Sequence, residues 1–264
     1  SALRFLAGKY QPSRDLCLLT FDDGLREHFT DVMPILAEHR IQGLFGIITG
    51  CVEECCVAPV HMNHFLAAHL DFHRYRREFE DTWNSNCGAS ISDIHVNRDN
   101  AQRSYPLDTP EMAVFKWLIN FQLPAERRDE VIRLLFVRHC GEESAFAREL
   151  YMNWDEIRQL QAEGMLIAGH THRHRPLANL TPEELEQDIQ TSHHLLRRCA
   201  ARQELWPFSY PYGKRNSYSP AVIAMLRAAG FDCAFTTESG RNVPRTPLFE
   251  LFRTDCSGAT ERLS

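Results

Sequence analysis

Leu16-Cys17-Leu18-Leu19-Thr20-Phe21-Asp22-Asp23-Gly24 is a short apolar run that stops at two acids and a glycine. That is the pattern of a buried parallel strand ending in a turn. Phe29, Val32, Met33, Leu36 and Ala37 then recur at helical spacing, and Gln42-Gly43 leads into a second buried strand, Leu44-Phe45-Gly46-Ile47-Ile48. Together they make one βαβ unit. The same alternation returns near the far end. Asn153 with Glu156 forms a capping box, the helix closes at Gly164, and Met165-Leu166-Ile167-Ala168 reads as a strand running into Gly169-His170. Thr181-Pro182-Glu183-Glu184 opens an amphipathic helix predicted to reach about Arg202, followed by a strand over Leu205–Tyr210. Ser219-Pro220 starts one more helix ending at Gly230, with final strands expected over Phe231–Thr236 and Leu248–Phe252.

Alternating strands and helices imply an α/β fold with a parallel sheet, either a barrel or a doubly wound sheet. Both gather their active sites at the C-terminal ends of the strands. Between the second and third core strands, residues from about 53 to 152 read as mostly helical, with helix starts at Thr109-Pro110-Glu111 and Pro124-Ala125-Glu126. The stretch is too long for a crossover and is expected to be an insertion in a single catalytic domain spanning 1–264. Within it, Met62, Phe65, Leu66 and Leu70 read as a packed helix face, and the charged run from His73 to Asp81 as a solvated one.

The 264 residues, 44% hydrophobic and 24% charged, exclude a disordered or low-complexity chain. A net charge of -6 leaves no broad basic surface for a phosphate backbone, so no nucleic-acid partner is expected. The longest apolar stretches fall short of the roughly 20 residues that cross a bilayer, so no transmembrane segment is expected, and the first residues do not read as a signal peptide. Nine cysteines form no C-x-x-C pair, and an odd number cannot all pair within one chain. Cys17 and Cys233, inside apolar runs, read as small hydrophobes. Reduced thiols in a cytoplasm are the simplest reading, with export open if a signal sequence has been removed. Oligomeric state is not legible.

Three motifs fall just after predicted strands. In Thr20-Phe21-Asp22-Asp23-Gly24, adjacent carboxylates point in different directions, so one can bind a metal while the other takes a proton. In His170-Thr171-His172-Arg173-His174, a helical turn would bring His170 and His174 to one side, the arrangement two metal ligands require. Phe208-Ser209-Tyr210-Pro211-Tyr212-Gly213 suits a groove wall with an exposed amide able to serve as an oxyanion donor. Taken singly, each has an ordinary reading as a turn, a solvated basic loop or a buried strand end. The combination is far more specific. No phosphate-cradling glycine loop and no Gly-x-Ser-x-Gly elbow is present, the latter arguing against a serine esterase.

Thr-Phe-Asp-Asp-Gly, then His-Thr-x-x-His, then x-Pro-Tyr-Gly, in that order, resembles the NodB-homology polysaccharide deacetylases of carbohydrate esterase family 4. The resemblance covers about 16–49 and 152–253. It implies a distorted (β/α) barrel that hydrolyses acetyl groups on sugars with a divalent metal, commonly zinc, with Co2+, Ni2+ or Mn2+ as alternatives. By motif, Asp23, His170 and His174 would be the metal ligands and Asp22 the general base. Pro211, Tyr212 and Gly213 would form the groove wall and oxyanion donor. The implied substrate is an N-acetylated sugar or polysaccharide precursor, and the implied pathway is assembly of a surface polysaccharide such as an O-antigen.

The chain departs from the pattern at two places. Ser209 stands where many members carry the arginine that holds the catalytic aspartate, and Arg253 is the expected substitute. The late Leu-x-His motif that supplies a general acid is also missing, because Leu251-Phe252 is followed by Arg253. His172 is the first candidate for that acid, with His28, His61 and His64 behind it. Two other readings stand beside the deacetylase: an amidohydrolase of a small non-sugar amide, and a non-catalytic carbohydrate-binding relative. A third, a metal-storing histidine cluster, is distinguished by whether Asp23 also ligates.

Overall fold

The structure is a computed structural model that describes residues 16–87 and 90–255. The chain separates into two compact units, one formed by Ser1–Cys56 with Ala147–Ser264 and the other by Val57–Phe146. The second unit is narrower than the insertion of about 53–152 read from the sequence. Both ends of that stretch fold with the sheet-bearing unit instead. Glu53 accepts from Trp154 Nε1 at 2.9 Å and from Arg198 Nη2 at 2.6 Å, while Arg26 donates its backbone N–H to the Leu150 carbonyl.

Five short parallel strands build the sheet: β1 (Leu19–Phe21), β2 (Gly43–Ile47), β3 (Leu166–Gly169), β4 (Pro207–Ser209) and β5 (Cys233–Phe235). Their order is β1-β2-β3-β4-β5, with every pair parallel. A doubly wound sheet reverses its order at a switch point, and this one never does. Each crossover steps to the next strand in the same sense, so the sheet winds as a distorted, open (β/α) barrel. The expected last strand over Leu248–Phe252 reduces to a single bridge between Phe235 and Leu251. Proline at 207 is tolerated because it begins its strand.

Apolar side chains of β2 to β4, Phe45, Ile47, Ile167 and Phe208, are fully buried with Ile157, Leu160, Ile189 and Leu226 of the covering helices. Both capping boxes form as the sequence predicts, at Asn153 with Glu156 for the helix Trp154–Ala162 and at Thr181 with Glu184 for Pro182–Cys199. The latter stops three residues before Arg202. Ser219 caps Pro220–Ala229, which ends on Gly230 in the left-handed conformation that glycine alone adopts freely.

The second unit is helical. Helices Pro59–His69 and Phe72–Cys87 pack against Ala125–Cys140, and Tyr75, Phe79 and Phe115 meet edge to face with ring centroids 5.6 to 6.3 Å apart. Met62, Leu66 and Leu70 are buried, and the charged run carries Arg74–Glu78 and Arg76–Glu80 pairs on its exposed side. Among the described residues no helix is long and apolar enough to cross a membrane. Among the described residues seven cysteines form no disulfide; Cys256 and the Cys87 side chain lie outside the described residues. Cys233 is a buried hydrophobe whose thiol burial pushes up to about 12, but Cys17 is exposed, because the strand begins only at Leu19.

Two predictions follow from this packing. Replacing Asn153 with alanine removes the cap of Trp154–Ala162 and costs about 1 kcal/mol, a fall of roughly 2 to 4 °C in Tm by calorimetry. His193 packs its ring against Phe231 and Trp206. Burial, with the charges of Arg197 and His194, holds it below its ordinary value of 6.5. The unfolded chain therefore binds the extra proton more readily, and this contribution to stability is lost as pH falls through and below about 6.5. Melting curves between roughly pH 7 and pH 5 should fall less steeply for His193→Gln than for the parent chain.

Candidate active site

The β1 strand ends at Phe21, and the backbone then turns sharply through Asp23 (φ 79°) and Gly24 (φ 70°). Aspartate tolerates this left-handed region better than most side chains. The turn lies beside the end of β2, where a Cβ added at Gly24 would stand 3.3 Å from Ile47. His170 directly follows β3 and is tied to β2 by its N–H bond to the Ile47 carbonyl.

Asp23, His170 and His174 converge, with one ligand atom from each lying within 4.8 Å of the others. Asp23 Oδ1 stands 3.2 Å from His170 Nε2 and 3.3 Å from His174 Nε2. His170 is 2% exposed, and its Nδ1 lies 2.8 Å from the Ser209 carbonyl, which can only accept. That bond makes Nδ1 the donor and directs Nε2 at Asp23; in the neutral imidazole that a metal takes, the lone pair is then on Nε2. Two imidazole nitrogens and one carboxylate oxygen form a three-ligand set that suits zinc and neighbouring divalent ions while leaving further positions open. The residues present fit such an ion.

His170 and His174 meet by a route other than the helical turn expected from their spacing. No helix forms over 170–174; Thr171 (φ 66°) and His174 (φ 53°) are left-handed instead. Thr171 Oγ1 accepts the His174 N–H at 2.8 Å, which closes the loop and brings the second imidazole back over the first, ring centroids 4.9 Å apart. Six non-glycine residues among those described have positive φ, and four of them are Asp23, Thr171, His174 and Tyr212. Such backbone strain costs on the order of 1 to 3 kcal/mol per residue and persists where the surroundings over-determine it, as at active sites.

Asp22 faces a different partner from Asp23. Arg253 Nη1 donates to its Oδ2 at 2.7 Å, while Arg253 Nε donates to the Thr236 carbonyl at 2.7 Å. The bridge between Leu251 and Phe235 aligns the last segment with β5 and so delivers Arg253 to this end of the sheet. Asp22 Oδ1 is buried and makes no hydrogen bond. Burial alone would raise this carboxyl, but the charges of His170 and Arg253 and the Arg253 hydrogen bond outweigh it and hold Asp22 below the usual carboxylate value. Ser209, in the place of the expected arginine, is buried beside Asp22, and its side chain adds to the lowering of that carboxyl.

Tyr212 follows Pro211 with φ 62°, and its ring stands 5.4 Å from that of His174. Its carbonyl accepts from Thr237 Oγ1 at 2.8 Å. Gly213 permits this turn, since a Cβ there would lie 2.6 Å from the Thr237 nitrogen. His172, expected as a proton donor, lies elsewhere. Its Nδ1 is 3.1 Å from Thr49 Oγ1 and its Nε2 3.0 Å from Glu54 Oε1, so both ring nitrogens are committed. Through these contacts His172 ties the loop to Thr49 and Glu54. His28 packs against the stacked rings of Phe21 and Phe45, where burial lowers its pKa below 6.5. His61 and His64 stand on Pro59–His69 of the second unit.

Sequence reasoning missed Thr49, Glu54 and Asp188, which hold the histidine loop from other elements. Nothing local marks them, because their partners lie 15 to 123 residues away.

A family model described as polysaccharide deacetylase matches residues 137–234, a span that holds His170, His174 and Pro211 to Gly213 but neither Asp22, Asp23 nor Arg253. A comparison with curated protein sequences gives no match. Among solved structures, the Streptococcus pyogenes deacetylase PplD in complex with acetate is similar at TM-score 0.56 and 13% identity, covering 96% of this chain and 69% of that one. The deacetylase domain of BpsB from Bordetella bronchiseptica gives 0.54 at 15% identity, covering 96% and 75%. IcaB from Ammonifex degensii gives 0.53 at 17% identity, covering 99% and 78%. At these identities the likeness speaks for the fold alone. Over β3 and β4 the chain is thus similar to polysaccharide deacetylases, hydrolases by description, and it shares the fold of solved deacetylases.

Proposed function

We propose that this chain hydrolyses the acetamide of an N-acetylated sugar, within a surface polysaccharide such as an O-antigen or a precursor of one, using a divalent metal. The observation that carries this reading is the convergence of Asp23, His170 and His174 beside a second, separately held carboxylate, Asp22. Zinc is the ion this donor set suits best, with Co2+, Ni2+ or Mn2+ as alternatives. When bound, such an ion supplies a Lewis acid that polarises a carbonyl and lowers the pKa of water.

The protein's own groups divide the remaining work. Arg253 fixes Asp22 through Oδ2, so Oδ1, which makes no hydrogen bond, is the atom that takes the proton of the attacking water. The same carboxyl then holds the proton that the departing amine requires. Asp22 thus serves as base in the first step and acid in the second, which accounts for the chemistry without the missing late histidine. Pro211, Tyr212 and Gly213 form the wall against His174, and an amide of this turn stabilises the oxyanion on the acetyl carbon.

Elemental analysis of the purified chain should find one divalent metal per molecule, lost in Asp23→Ala and in His170→Ala. Acetate release from N-acetylhexosamine oligomers or nucleotide sugars should disappear with the metal; a chain that takes up no metal on reconstitution contradicts the reading. Asp22→Asn should retain metal and lower kcat by about 100- to 10,000-fold. Arg253→Ala should also retain metal and lower kcat by roughly 100-fold or less, through a misplaced base. Unchanged turnover in Arg253→Ala would remove its positioning role.

A further inference from the structure

The loop between the two ligand histidines has no regular structure, so its backbone polar groups need partners elsewhere. The Thr171 carbonyl accepts the Thr49 N–H at 3.1 Å, and the His172 carbonyl accepts the Gly50 N–H at 3.0 Å. Gly50 must stay a glycine for this contact, since a Cβ there would lie 2.4 Å from the His172 oxygen. On another side stands Asp188, from the middle of the helix Pro182–Cys199. Its Oδ1 accepts the His172 N–H and its Oδ2 the Arg173 N–H, each at 2.9 Å.

A carboxylate is an expensive choice for this place. Asp188 is 6% exposed, and burial raises its pKa above the ordinary carboxylate value despite the two backbone bonds and the nearby charges of His172 and Arg173. An apolar residue at 188 would suit the buried face of the helix better. It would also leave two successive amides of a strained loop without acceptors. The residues whose amides Asp188 holds are the two between left-handed Thr171 and left-handed His174. Fixing 172 and 173 therefore fixes the angle at which the chain returns, and with it the separation of the two imidazoles.

We infer that Asp188 is a positioning residue for the metal centre: by gripping two consecutive loop amides with its two oxygens, it holds His170 and His174 at ligating distance from Asp23. The inference rests on the proposed reading of those three residues as metal ligands. Asp188 does not touch the ion or the substrate. It acts as an outer partner of the ligands, a class whose loss typically weakens metal affinity about 10- to 100-fold.

The test compares the parent chain with Asp188→Asn, which preserves shape but turns an NH2 group toward one of the two backbone N–H donors. The zinc Kd is read by competition with a chromogenic chelator, and Tm is measured with and without zinc. Asp188→Asn should keep its circular dichroism at the assay temperature, raise the zinc Kd about 10- to 100-fold, and show a smaller zinc-induced rise in Tm. A merely structural role would lower both Tm values equally and leave the Kd and the zinc-induced rise unchanged; that result overturns the inference. If Asp188→Asn does not fold, Asp188→Ser, which removes the buried charge, carries the same expectation and is overturned by the same result. Failure of the parent chain to bind zinc, or binding that survives Asp23→Ala, overturns the metal reading itself, so the two failures are told apart.

Discussion

The hydrogen bond from His170 Nδ1 to the Ser209 carbonyl is the contact on which the site depends. It spans the C-terminal ends of β3 and β4, which meet in register only at Gly169 and Phe208. In doing so it sets the tautomer of the imidazole and aims Nε2 at Asp23. Because the acceptor is a backbone carbonyl rather than a side chain, the orientation follows from the sheet itself. Each of these side chains is therefore as well placed as the strand pairing beneath it, and the parallel sequential order brings the three motif-bearing strand ends to one rim.

Much of this was legible in the sequence because it is local. Capping boxes at Asn153 and Thr181 depend on residues three apart, and the buried strands around Phe45, Ile167 and Phe208 show in their apolar runs. The three motifs could be placed at strand ends for the same reason. What could not be read was backbone conformation set by distant partners. His170 and His174 are spaced for a helical turn, yet their loop is left-handed because Thr49, Gly50 and Asp188 take up its polar groups. His172 looked reactive beside two ligands, but Glu54 and Thr49 engage its ring. The final strand shrank to a bridge at Leu251, since an apolar run cannot say whether a neighbour will be there to pair with it.

The centre also concentrates arrangements that work against stability. Four left-handed non-glycine residues and a buried Asp22 whose Oδ1 makes no hydrogen bond lie within one rim of the sheet. Each costs free energy that the packed strands and helices beneath must offset. The cap, the helix pairs and the aromatic cluster of the second unit show ordinary chemistry by comparison. Strain gathered in one region of an otherwise regular fold is what an enzyme pre-organised for a reacting group displays.

Arg253 reaches Asp22 across 231 residues of sequence and also touches Thr20 Oγ1 at 3.4 Å. Among the described residues no backbone ladder joins β1 to the Leu248–Arg253 segment, and this ion pair joins the two beside the apolar cluster that Leu18 shares with Leu251. Closing so long a loop is entropically unfavourable and comes late, after local helices and neighbouring strands have formed. Synthesis is ordered the same way, since Asp22 precedes Arg253 by 231 residues. A chain synthesised only as far as β5 would hold Asp22, Asp23, His170 and His174 without the Arg253 contact. The pair thereby makes the placing of Asp22 depend on a segment 231 residues further along the chain.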